Sequence, residues 1–135
     1  MKKIQLACLV SIFSIGSANA LTPCDAFQIK IKNELLDDLM VSTVKLSGAT
    51  IQPSGLQQLD SKGETVFTVN GSDANTPMTG EMIFHTISLP SKTVHLNFDL
   101  SNQLLICEHT DRSTNKNYSI GIFRQPGQVT YTISN

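Results

Sequence analysis

Three histidines, His85, His95 and His109, are the first residues to weigh for chemistry. A protein-held metal needs several nitrogen, sulfur or carboxylate ligands converging on one point. Such sites usually show short spacings, such as two histidines one helical turn apart or on alternate strand residues. No pair of these histidines has either spacing. One constellation can still be built. If residues 94–100 and 103–109 form a hairpin around a Ser101-Asn102 loop, Leu100 pairs with Gln103 and Leu96 with Cys107. His95 then stands opposite Glu108 on the outer face, with Asp99 on the same face. His95 and Glu108 are therefore the candidate metal ligands, but a surface ion pair explains the same juxtaposition without a metal. His109 reads as a partly buried histidine at the end of a core strand rather than a ligand or pH switch. No metal or other cofactor is expected.

Nucleophilic and acid–base catalysis find little footing. The chain has no Gly-x-Ser-x-Gly elbow and no glycine-rich phosphate loop. Asp37, Asp38, Asp60 and Glu64 could supply a carboxylate pair for glycosidic chemistry, but all four sit at expected turns, where solvated charges are ordinary. No catalytic residue is assigned.

The cysteines point to a staple. Lys2 and Lys3 form a basic start, positions 4–16 are apolar apart from Gln5, Ser11 and Ser14, and Ser17-Ala18-Asn19-Ala20 supplies small residues for cleavage. These are the three parts of a Sec signal peptide over residues 1–20, bacterial in type. The apolar part falls short of the ~20 residues that span a bilayer, and no later segment approaches that length. Cleavage after Ala20 removes Cys8 and leaves two cysteines, Cys24 and Cys107. In an oxidising compartment they form one disulfide. A bridge closing so long a loop contributes about 4 kcal/mol in the chain-entropy model.

The remaining positions, 21–135, have the size of a single domain. Apolar residues make up 40% of the chain and charged residues 16%, enough to build a core and unlike a disordered segment. Without Lys2 and Lys3, eight Lys and Arg face 11 acidic residues, a formal charge of about −3 with no basic stripe. Nucleic acid is thus not an expected partner. Interfacial binding relies on Trp and Tyr, and this chain has no Trp and two Tyr, so membrane attack is not favoured either.

The elements that must position these residues are strands. Phe27, Ile29 and Ile31 alternate with polar neighbours, and Thr65, Phe67 and Val69 alternate with Val66 and Thr68 after a turn at 60–63. Val94, Leu96, Phe98 and Leu100 give the cleanest alternation, with Leu105, Cys107 and His109 turned to the same core side in the following strand. Residues 82–87 read as a buried strand, and 71–80 as a polar loop. Tyr118, Ile120 and Ile122 precede a Gln125-Pro126-Gly127 turn, and Val129, Tyr131 and Ile133 follow it, so the last two strands form a hairpin. Leu35, Leu36, Leu39 and Met40 share a helical face behind Asn33, which predicts at most one short helix near residues 33–40, followed by strand to Leu46. About eight short strands at this spacing indicate an all-β fold, a small antiparallel sandwich or barrel.

The cysteine at position 24 and the alternating C-terminal strand with Tyr131 are similar to chaperone-assembled pilus subunits, whose second cysteine lies much nearer the first. In size and strand content the chain also resembles aegerolysin-like lipid-binding sandwiches, whose tryptophans it lacks. Neither resemblance covers a motif, and no functional residue is carried over. The first reading is an exported, periplasmic or secreted, non-catalytic binding protein: an adhesion, effector or inhibitor-like module for a protein or glycan ligand rather than a small molecule. The alternatives are a small extracellular hydrolase with a site assembled from distant loops, and a structural subunit of a surface fibre.

Overall fold

The computed structural model describes residues 22–55 and 58–135; the expected signal peptide at 1–20 lies outside them. The described residues form ten strands and no helix. In chain order they are β1 (Gln28–Asn33), β2 (Leu39–Ser47), β3 (Thr50–Gln52), β4 (Gln58–Leu59) and β5 (Glu64–Asn70). β6 (Met78–Thr86), β7 (Thr93–Gln103), β8 (Ile106–Asp111), β9 (Ser119–Gln125) and β10 (Gln128–Ser134) follow. They build two five-stranded sheets, ordered β3-β5-β1-β10-β9 and β4-β2-β6-β7-β8. This is a small all-β sandwich, with β3 and β4 as short additions to the strands that alternation identified.

The alternation explains the packing. Ile29, Ile31, Phe67, Val69, Val129, Tyr131 and Ile133 turn inward from the first sheet, and Met82, Phe84, Val94, Leu96, Phe98 and Leu100 from the second. All are fully or almost fully buried, and they meet in one core. Side chains of period two can only share a face if the register holds, so the pattern fixes which side of each sheet is wet. The sheets are antiparallel except at β1–β10, which run parallel with Ile29 beside Val129 and Ile31 beside Tyr131. Parallel neighbours need a long crossover, and here nearly the whole chain supplies it.

Two expectations are corrected. The helix near 33–40 does not form. Asn33 ends β1, and its Nδ2 is shared among the carbonyls of Asp37 (2.9 Å), Leu59 (3.2 Å) and Asp60 (3.2 Å). Its Oδ1 accepts the Leu35 amide at 3.0 Å. An asparagine that bonds the backbone two residues on makes a turn instead of a helix cap. Leu35 is thereby buried and Leu36 left 88% exposed, so the expected helical face is split.

The β7–β8 turn also moves. β7 runs on to Gln103, which pairs with Ile106 around Leu104-Leu105, so Ser101 and Asn102 are strand residues, not the loop. Asn102 is held inward. Its Oδ1 accepts the Cys24 amide at 2.7 Å, and its Nδ2 donates to the Asp73 carbonyl at 3.2 Å. A tertiary hydrogen bond to a buried segment here outweighs the local turn preference of Ser-Asn. The slip is an even number of residues, so Cys107 keeps the core side, opposite Asn102. Cys24 and Cys107 stand at disulfide distance, with sulfurs 2.04 Å and Cα atoms 4.6 Å apart.

Candidate binding site at the open end of the sandwich

β8 is the edge of one sheet and β9 the edge of the other, and the chain passes directly from one to the other. Four side chains bridge the gap between these edges. The Arg124 Nε–H donates to His109 Nδ1 at 3.2 Å. An arginine nitrogen only donates, so His109 Nδ1 is the acceptor and the ring proton sits on Nε2. Nε2–H then donates to the Tyr131 hydroxyl at 2.7 Å, and the Tyr131 O–H to Asp111 Oδ1 at 3.2 Å. Asp111 Oδ1 also accepts from Ser113 Oγ at 2.7 Å. The chain of donors runs one way, from guanidinium to carboxylate, and uses both imidazole nitrogens. Phe98 stacks on His109 with ring centroids 5.8 Å apart.

The electrostatics follow from this burial. Desolvation, reinforced by the Arg124 charge, pushes the His109 pKa down to about 4 despite the opposing pull of Asp111. Burial and the neighbouring Asp111 push the Tyr131 phenol up, so it stays protonated. A neutral histidine with no free nitrogen and a buried neutral phenol form a strut between the sheets, not an acid–base pair poised to react.

Beside this strut lies an open cleft of about 680 Å³, whose lining includes Pro23, Leu105, Ile106, Glu108, Arg124 and Pro126. None of its lining residues is a serine or threonine, and its cysteine, Cys107, is in the disulfide. The cleft is edged by the β7–β8 turn, where Leu104, Leu105 and Ile106 are 97%, 92% and 62% exposed. Single exposed aliphatics are ordinary, but three in succession at the rim of a cleft are not.

The sequence-derived candidates are dispersed. His95 pairs with Ile83 of β6, and its backbone N–H and C=O are both bonded by the Asn115 side chain. Glu108 pairs instead with Ser101, whose Oγ lies 3.4 Å from Glu108 Oε1. His95 and Ser101 are six residues apart on β7, so His95 and Glu108 are separated by about 20 Å. The shifted turn thus removes the pair that the sequence suggested. Asp99 is bound to Arg112 at 2.8 Å, and His85 Nδ1 to the Ser42 hydroxyl at 2.8 Å.

Arg124, Asp111 and Tyr131 escaped the sequence reading as a group. One signal was available. The Pro126-Gly127 hairpin pairs Gln125 with Gln128, which sets Arg124 opposite inward-facing Val129. A charged residue at an inward position of an edge strand marks either a polar network or a site. No family model matches this chain, and no curated protein matches it in sequence.

Proposed function

We propose that this protein is exported, is processed after Ala20, and acts without catalysis by holding a protein partner at the β8–β9 end of its sandwich. The observation that carries the reading is the exposed aliphatic run Leu104-Leu105-Ile106 at the rim of the cleft. A hairpin turn cannot hide these side chains by slipping register, so a partner is the remaining way to cover them. The disulfide between Cys24 and Cys107 supports export, because such bridges persist in oxidising compartments. Among the described residues no helix is long and apolar enough to cross a membrane. A protein ligand fits better than a glycan, since the exposed run is aliphatic, both tyrosines lie at least half-buried, and the exposed aromatic of β9, Phe123, is on the outer face of its strand and does not line the cleft. Hydrolysis is disfavoured by the cleft lining, which offers one carboxylate, Glu108, where glycosidic chemistry uses a pair, and no serine, threonine or free thiol as nucleophile.

The test is a photo-activated cross-linker placed at Leu105 or at Leu36 in the exported protein. Leu36 is equally apolar and 88% exposed, but follows the end of β1 opposite the Gln28–Gly127 contact. The reading expects a discrete protein adduct from position 105 and none from 36. Equal labelling at both positions, or no adduct at 105, would overturn it.

A further inference from the structure

We infer that the partner at this end is a second copy of the chain, related by a twofold axis that brings Glu108 of each copy to Arg124 of the other. The inference rests on the reading above, that the aliphatic run is a docking surface, and adds what docks there. A twofold interface is self-complementary: one patch must carry both a projection and its receptacle, and both halves of any charge pair. This patch does. The projection is Leu104-Leu105-Ile106, and the receptacle is the adjoining cleft, walled by apolar Pro23, Ile106 and Pro126.

The charges decide between occupants. Glu108 and Arg124 both line the cleft, yet neither is in an ion pair among the described residues. Glu108 Oε1 has only the long Ser101 contact at 3.4 Å. The Arg124 side chain spends its Nε on His109 and makes no other hydrogen bond to the described residues, so its two terminal nitrogens are unspent. One acid and one base, not paired with each other and flanking the same apolar centre, are matched by a rotated copy of the same patch. A partner surface of uniformly acidic or uniformly basic character would set a like charge against one of them, which is costly at an interface. An anionic lipid surface would meet Glu108 in the same way and a protein of negative formal charge besides.

Sedimentation velocity on the mature chain, as a function of concentration, tests the inference. Wild type should form a dimer that dissociates on dilution. Leu105→Asp alters a 92% exposed side chain and should leave folded monomer. Glu108→Arg and Arg124→Glu should each weaken self-association by about tenfold or more, through like-charge contacts. Mixing those two variants should restore a heterodimer, because each then supplies the charge the other lacks. Because Arg124 also bonds His109, the Leu105→Asp result and the Glu108→Arg result stand even if Arg124→Glu fails to fold. Dimers that persist in Leu105→Asp, folded charge variants that associate no better mixed than apart, or wild type that stays monomeric would overturn the inference. A monomer whose Leu105 probe still labels a different protein removes the second copy and leaves the docking end standing. A monomer with no adduct at position 105 removes both.

Discussion

His109 is the residue whose chemistry most depends on the fold. In the unfolded chain it takes up a proton near its ordinary value of 6.5, whereas in the folded protein burial and Arg124 delay this to about 4. As pH falls through that interval the unfolded state binds a proton that the native state refuses. The stability is therefore complete above pH ~6.5 and is lost progressively on acidification, by up to about 3 kcal/mol at pH ~4. Asp25 and Asp37 are also shifted, but downward from 3.8 by hydrogen bonds from Ser72 and Ser88, so their contributions fade only at still lower pH. Urea unfolding of the oxidised protein across pH 4–7 should show this slope, and His109→Gln should flatten it. A wild-type midpoint independent of pH in that interval would mean that His109 is not held neutral by its surroundings.

At the scale of elements, strand positions were legible wherever burial enforces alternation. β1, β5, β7 and β10 lie within a residue or two of where the pattern put them, except that β7 runs on. What failed was decided by partners far along the chain. Ser101-Asn102 carries turn chemistry, but the Asn102 amide is committed to the Cys24 backbone. Asn33 looked like a helix cap and instead holds the 58–60 segment. β6 starts at Met78, and its Gly80 pairs with Phe98 and makes room for that ring; a Cβ on Gly80 would come within 2.2 Å of it. Gly80→Ala should therefore cost about 1–3 kcal/mol as overpacking, and Phe98→Leu in the same chain should recover part of it. Thermal or urea unfolding of the two variants and the double variant measures this. The register makes a second prediction. With His95 and Glu108 about 20 Å apart, a double-mutant cycle of His95→Ala and Glu108→Ala should be additive within about 0.5 kcal/mol. A larger coupling would restore the pair that the shifted hairpin removes.

For the whole molecule, the sandwich leaves two kinds of edge. β3 and β4, at one side, are three and two residues long, too short to recruit another strand. β8 and β9, at the other, run six and seven residues, and inward-facing Arg124 and His109 interrupt their apolar rows. The sequence showed a sandwich of the right size with a cysteine turned to its core, but not that both long edges and the aliphatic turn converge. That convergence depends on the parallel β1–β10 pairing, which joins the first and last strands and which no local pattern encodes. The Cys24–Cys107 bridge then ties the segment before β1 to β8 beside the cleft. Removing it by Cys24→Ser should cost about 2–5 kcal/mol and loosen the docking end first. Non-reducing peptide mapping of protein recovered from outside the cytoplasm tests the proposed export and the bridge together. One linked peptide pair containing Cys24 and Cys107 is expected, with Leu21 as the N-terminal residue. Free thiols at both cysteines, or a chain that retains residues 1–20, would contradict that expectation.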